Sequence, residues 1–327
     1  MTFRLLAVFY TVLFLFSSFV LLYQFVIPHG GFYVDDPVIT TTTTSTTTSE
    51  TTSSTDGSGT TVPTTTTTTT ASVLSYPGET PSLLTPASLI GSFESEYSLV
   101  NVYKIRLYSS DVFVADVVVR DAYQVLTALA YNNFGGTNYV QTVSTMAEDH
   151  DAVFAVNADY ATHYETGFVI RNGMVLRSTI SYRYDVVLYE DGSVDIFKET
   201  ASSNVNTVLN AAAWQLWSFG PPLIIDDVSV ADVNDGLDRD KVNNPRTAFG
   251  YLDNYHYLFV VVDGRTTISS GVDIEELADI MASLGCTQAY NWDGGGSATM
   301  YFDGKVINTP SQGSEREVSD CVYIKRY

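Results

Sequence analysis

Three consecutive glycines, Gly294-Gly295-Gly296, follow an apolar run, Ala289 to Trp292, that stops at Asp293; Ser297 comes next. Glycine loses more conformational freedom on folding than any other residue, so a triplet is kept where side chains do not fit. The reasons are few: torsions in the left-handed region, or a ligand that approaches the backbone closely. Amides exposed in such a loop can also form a nest for an anion. A tight turn between two strands is the plainer alternative, and the glycines alone do not separate the two.

The neighbouring segments place the loop. Tyr257 to Val262 is a short apolar, β-branched run that reads as a buried strand and ends at Asp263-Gly264-Arg265. Between the two runs, Ile274, Leu277, Ala278, Met281 and Leu284 recur at helical spacing. Asp273 fits the N-cap, with Glu276 completing a capping box, and Gly285 fits the helix stop. Strand, helix, strand predicts a βαβ unit with parallel strands. Asp263 and Asp293 then fall at the same carboxyl end, where ligands of α/β sheets bind.

Elsewhere the patterning is mostly that of hairpins. Val102 to Leu107 and Val112 to Val119 alternate around a Ser109-Ser110-Asp111 turn, while Phe168 to Ile170 and Met174 to Leu176 flank Asn172-Gly173. Glu190 to Ser193 and Asp303-Gly304 are turns of the same kind. Tyr123 to Tyr131 and Thr142 to Glu148 are predicted as short helices, and Val153 to Val156 as a buried strand delivering Asn157 and Asp159 at its end. The expected fold is α+β: a mixed, mostly antiparallel sheet with one βαβ unit carrying the glycine-rich loop, over residues 99–327.

Residues 5 to 27 are apolar apart from Thr11, Ser17, Ser18 and Gln24, enough to cross a bilayer as a helix. With Arg4 as the only basic flank, residues 1–28 are expected to be a single-pass anchor with a short cytoplasmic start. A cleaved signal peptide is the competing reading, and the bulky Phe25-Val26-Ile27-Pro28 offers it no small-x-small site. Thr40 to Thr70, nearly all Thr and Ser, has almost no apolar side chains to bury and reads as an extended stalk open to O-glycosylation; the stalk and lead-in run over 29–98. The domain beyond it is expected outside the cell. A net charge of −21 repels nucleic acid and anionic lipid, so local arginines must hold any anionic substrate. The only cysteines, Cys286 and Cys321, are either a disulfide permitted by an external location or two buried thiols.

The four histidines lack metal-site spacing, and Ser297 has neither a nucleophile-elbow context nor a histidine partner. Carboxylates remain. Asp293 and Asp263 are the leading catalytic pair, one as acid and one as nucleophile or base; capping of turn amides is their structural alternative. Arg246 and Arg265 offer planar forks to a phosphate, or ion pairs to those same aspartates. Gly294, Gly295, Gly296 and Ser297 would form the cleft wall. Asn157 and Asp159 suit sugar hydroxyls or a divalent cation, Ca²⁺ rather than zinc. Arg316 is a candidate substrate ligand or a solvated surface charge, and His256 a packed structural histidine.

Several segments in order carry a resemblance: Phe154-Ala155-Val156-Asn157-Ala158-Asp159-Tyr160, Arg171-Asn172-Gly173, Asn244-Pro245-Arg246-Thr247-Ala248-Phe249-Gly250, Val262-Asp263-Gly264-Arg265, Asn291-Trp292-Asp293-Gly294-Gly295-Gly296-Ser297 and Glu315-Arg316-Glu317-Val318-Ser319-Asp320. Together they resemble the phosphodiester glycosidases, relatives of the lysosomal uncovering enzyme that removes N-acetylglucosamine from a phosphodiester, with bacterial members linked to exopolysaccharides. Ala158 and Trp292 stand where that family usually has glycine and leucine. The resemblance runs from about Asn101 to Tyr327. It implies hydrolysis of a sugar, an N-acetylhexosamine, from a phosphodiester or a related surface glycan. A non-catalytic glycan-binding or polysaccharide-assembly protein on the same fold is the alternative.

Overall fold

The computed structural model describes residues 32–33, 80–136, 139–232 and 240–327. The expected anchor, residues 5–27, and the Thr40 to Thr70 stalk lie outside them; among the described residues no helix is long and apolar enough to cross a membrane.

The chain is mostly β, with few helices. Its strands are β1 (Leu89–Glu94), β2 (Ser98–Leu107), β3 (Ser110–Val119), β4 (Leu126–Leu129) and β5 (Ala152–Asn157). These are followed by β6 (Val169–Arg171), β7 (Met174–Arg177), β8 (Tyr184–Tyr189), β9 (Val194–Lys198) and β10 (Ala213–Trp217). Then come β11 (Pro222–Ile225), β12 (Val228–Ser229), β13 (Arg246–Asp253), β14 (His256–Val262) and β15 (Gln288–Trp292). β16 (Met300–Phe302), β17 (Lys305–Val306) and β18 (Asp320–Lys325) close the series. The α-helices among the described residues are α1 (Val143–Asp149), α2 (Val205–Asn210) and α3 (Ile274–Ser283).

Three sheets carry the fold. The largest has the order β12-β11-β15-β13-β14-β3-β2-β1; the others are β17-β16-β5-β18-β4 and β9-β8-β10-β6-β7. One face of the large sheet packs on the other two, with Phe154 and Phe259 rings 5.3 Å apart and Trp217 and Trp292 rings 5.0 Å apart across the interface. On the opposite face α3 buries Leu277, Ala278 and Met281 against Ala248, Leu258 and Val260. Cover on both faces is why β14 reads as an unbroken apolar run. The α3 start matches its sequence: Asp273 Oδ1 accepts from the Glu276 amide at 2.8 Å, and Glu276 Oε2 accepts from the Asp273 amide at 3.2 Å. The hairpins follow their turn residues; Asn172 and Gly173 have φ of 52° and 74°.

Three expectations change. First, β13 lies between β14 and β15 and pairs antiparallel with both, so the two strands flanking α3 run in the same direction without touching. Every ladder among the described residues is antiparallel, and the directly paired βαβ unit is absent. β13 is hidden in sequence by Gly250, a poor strand residue. A Cβ there would lie 2.6 Å from both Cys286 Sγ and Met281 Cε, so the missing side chain is what lets α3 seat on the sheet. Second, the helix predicted over Tyr123 to Tyr131 is instead β4 between two 3₁₀ turns, because Leu126–Leu129 pairs with β18 and is buried throughout. Third, the tight turn of the first hairpin is Tyr108-Ser109, with φ of 46° and 55°. Of the two alternatives left open for Cys286 and Cys321, the structure has the buried thiols: both are free, and burial pushes both well above the usual thiol range.

Candidate active site

The pairing register brings three chain segments to one end of the large sheet. Arg246, the first residue of β13, pairs with Val262 on one side, and Thr247 pairs with Trp292 on the other. The continuations of those strands, Asp263 and Asp293, therefore flank the start of β13. A cleft of about 200 Å³ opens here, lined by Asp293, the three glycines, Arg246, Arg265, Arg316, Asn291 and Phe219, and by Asp240 and Asn244.

Asp293 is held by its backbone. Its amide donates to Ala158 O at 3.2 Å, and its carbonyl accepts from Asn157 Nδ2 at 2.6 Å. Asn157 Oδ1 in turn accepts from Thr247 Oγ1 and from the Thr299 amide, each at 3.0 Å, so this buried residue ties three segments together beneath the cleft. The glycine loop is then folded tightly onto β13: the Gly295 amide donates to Pro245 O at 2.8 Å.

The glycines are dictated by what lies against them. A Cβ on Gly294 would meet Pro245 O at 2.6 Å, and one on Gly296 would meet Arg316 Nη2 at 2.3 Å; Gly295 has φ of 61° and lies beneath the Arg265 guanidinium, 3.4 Å from where a Cβ would sit. Two guanidinium groups thus lie directly over a chain that must lack side chains. Arg265 is oriented by Asn244 Oδ1, which accepts from its Nε at 3.0 Å and its Nη2 at 2.8 Å, and Arg316 Nη1 reaches Ser297 Oγ at 3.5 Å. Ser297 is fully buried, so it supports Arg316 from below and is not an exposed nucleophile.

Other candidates are drawn elsewhere. Asp263 is buried and outside the cleft lining: its Oδ1 accepts from Asn308 Nδ2 at 3.1 Å and from the Thr309 amide at 3.0 Å. Burial raises its pKa, with those hydrogen bonds pulling the other way. With β13 between them, the strands that end at Asp263 and Asp293 lie about 10 Å apart, and Asp263 turns to Asn308 and Thr309 rather than into the cleft. Asp159 is not a cleft ligand either. It is fully buried with Arg171, which also meets Asp320 at 3.0 Å, and its Oδ2 accepts from the Ser218 amide at 2.9 Å. Burial, with the Asp320 charge beside it, pushes Asp159 up to about 7. Arg246 lines the cleft but spends its donors on the carbonyls of Val272 (3.0 Å), Val242 (3.1 Å) and Asp240 (3.3 Å), with the Asp240 carboxylate 3.8 Å away. It pins the 240–246 loop. His256 is buried against Asp116 at 2.6 Å. Among the described residues no group of three or more His, Cys, Asp and Glu side chains could hold a metal ion.

Sequence reasoning had no signal for Phe219, Asp240 or the orienting role of Asn244, each of which reaches the cleft from a connecting segment. Asn291 and Asn244 were visible only as parts of motifs. The pattern that does point to them is the alternation of β15: Tyr290 and Trp292 enter the core, so Asn291 faces the other way, with its Nδ2 donating to Gly220 O at 2.8 Å.

The family model for phosphodiester glycosidase matches residues 150–325. The chain is 28% identical over 206 residues to the SPbeta prophage-derived uncharacterized protein YomE of Bacillus subtilis, covering 59% of this chain and 31% of that protein. It therefore spans about a third of the length of that curated relative. Among solved structures, the catalytic domain of zebrafish N-acetylglucosamine-1-phosphodiester alpha-N-acetylglucosaminidase, auto-inhibited by its pro-peptide, superposes with a TM-score of 0.55 at 20% identity, over 76% of this chain and 87% of that one. That likeness is one of fold.

Proposed function

The chain belongs to the phosphodiester glycosidase family, and on that premise we propose that it hydrolyses the bond between a sugar, an N-acetylhexosamine, and a phosphodiester. The observation that carries this reading is the pair of guanidinium groups, Arg265 and Arg316, lying over Gly295 and Gly296 in the cleft that Asp293 also lines. Planar forks of this kind grip phosphate oxygens, and the glycines let both forks lie directly against the backbone of the cleft wall. Phosphate leaves readily as an anion, so the reaction does not need a second carboxylate as acid. Asp293 is the carboxylate that meets the positive charge developing at the anomeric carbon and takes the proton of the attacking water. The C–O bond to phosphate breaks, the water oxygen joins the anomeric carbon, and the phosphate departs held by the two arginines.

The test compares an N-acetylhexosamine phosphodiester with a neutral aryl glycoside of the same sugar. Arg265→Ala and Arg316→Ala are expected to lower turnover of the phosphodiester about 10- to 100-fold more than that of the neutral substrate. Asp293→Asn should reduce both about 10²- to 10⁴-fold with little change in melting temperature. Equal losses on both substrates for the arginine variants, or an active Asp293→Asn protein, would overturn the assignment. The second reading, a glycan-binding protein without turnover, draws on the withdrawal of Asp263 to Asn308 and Thr309. Sugar binding with no hydrolysis of either substrate would favour it.

We also propose that residues 5–27 tether the domain outside the cell, on the strength of their apolar length and the Thr-rich tract that follows. Protease added to intact cells should cut within Thr40 to Thr70 and release a soluble domain. Protection until the membrane is broken would rule this out.

A further inference from the structure

The cleft has a chemical direction. Phe219 leads into β11 and Asn244, which holds Arg265, leads into β13; these strands flank β15, whose end carries Asp293. Phe219 and the Asn244-held Arg265 therefore lie on opposite flanks of the strand that carries Asp293. With phosphate on the arginine side, the sugar lies toward Phe219.

Aromatic surface continues beyond Phe219. Its ring meets Tyr164 edge to face at 6.1 Å, Tyr164 meets His163 at 5.3 Å, and His163 stacks on Tyr160 at 4.9 Å with 5° between the planes. Phe219, Tyr164 and Tyr160 are half-buried and His163 is exposed, so the four rings make a ledge from the cleft wall out to solvent. The ledge is braced from behind. The Arg183 guanidinium lies 4.4 Å from the Tyr164 ring centre and donates to Thr166 O at 2.7 Å, while Arg177 donates to the carbonyls of Ala161 and Tyr164. Ala158, two residues before Tyr160, accepts the Asp293 amide, which fixes the ledge relative to the reacting centre.

We infer that this ledge is a second sugar subsite, taking the next pyranose ring on the non-reducing side of the sugar that carries the phosphate. The substrate is then an extended glycan joined to phosphate, not a single sugar. A pyranose presents a C–H face rimmed by hydroxyls. Aromatic rings pack against the first, and tyrosine hydroxyls and histidine ring nitrogens, as Tyr160, Tyr164 and His163 carry, hydrogen-bond the second. Large apolar side chains left half-exposed beside a polar cleft are a mark of a binding groove. The inference rests on the glycosidase reading for the placement of the first sugar.

Titration calorimetry with N-acetylglucosamine and its β-1,4-linked di- and trisaccharide, and with the matching glucose series, tests it. The unaltered protein should bind the disaccharide of one series about tenfold more tightly than the monosaccharide. Tyr160→Asn and His163→Ala should each remove most of that gain. Asparagine is chosen because Tyr160 has φ of 57°, which asparagine tolerates, and His163 is exposed, so both variants should melt normally. No gain from a second sugar in either series, or a gain untouched by both variants, would overturn the subsite. Oligosaccharide binding that depends on these residues, in a protein that hydrolyses no sugar phosphodiester, would support the ledge and sink the hydrolytic reading instead.

Discussion

Gly294 and Gly296 are two residues apart and exclude a methyl group for different reasons. At Gly296 the obstacle is the far end of Arg316, with Nη2, Cζ and Nε at 2.3, 2.5 and 2.7 Å from an added Cβ. That side chain can swing away. Gly296→Ala is therefore expected to fold normally and lose about tenfold or more in phosphodiester turnover, because a displaced guanidinium no longer meets the phosphate. At Gly294 the obstacles are the Pro245 carbonyl at 2.6 Å and Arg246 Cα at 3.3 Å, both backbone. Gly294→Ala should instead cost about 1–3 kcal/mol of stability in denaturant titrations. If the two variants were to behave alike, the distinction between a bound arginine and a packed backbone would be wrong. The place of Asp293 at the cleft was legible in sequence because an acidic residue and a glycine triplet at a strand end are both local. Asp263 looked equivalent, but its partners Asn308 and Thr309 come from a distant loop that no local pattern links to it.

Among the elements, β13 decides the most. Gly250 brings α3 so close that Cys286 Sγ and Met281 Cε each lie 2.6 Å from an added Cβ. Gly250→Ala should destabilise by about 1–3 kcal/mol through overpacking. Met281→Ala should be costly alone, but combined with Gly250→Ala it frees the space the new methyl group needs. The double variant is thus expected to lose less than the two single losses added together, and strict additivity in chemical denaturation would reject this packing account. The hairpins and the capped helix were readable because turn residues and caps act within a few positions: Asn172-Gly173 and Asp273 with Glu276 behave as their chemistry dictates. β13 was not, since its place is set by pairing with strands on both sides, and its glycine masks the alternation. β4 shows the same limit: a segment expected to be a short helix is a strand because β18 pairs with it.

At the scale of the whole molecule, buried carboxyls set the response to pH. One guanidinium, Arg171, serves both Asp159 and Asp320, and burial raises Asp159 to about 7. Burial beside Glu199 raises Asp185 to about 9, and burial raises Asp263 as well. These shifts are upward. Between the unfolded carboxylate value of about 4 and the raised values, the folded chain keeps protons that the unfolded chain has released, so stability falls as pH rises through that window. Self-repulsion at a net charge of −21 acts in the same sense. Melting temperature is expected to be higher near pH 5 than at pH 8, and Asp185→Asn should flatten the slope by up to about one proton. A melting temperature that climbs steadily from pH 5 to pH 8 would contradict this. The order of the second sheet carries a different consequence, one of timing. β5 lies between β16 and β18, which are made far later on the ribosome. At about 5–20 residues per second, one edge of β5 stays open until Met300–Phe302 is made and the other, for roughly ten to thirty seconds, until Asp320–Lys325 slots in beside Ala152–Asn157. For that interval the nascent chain displays an apolar strand with an open edge, which makes holdase chaperones, and slower translation after residue 157, the levers on how much of this protein a cell recovers folded.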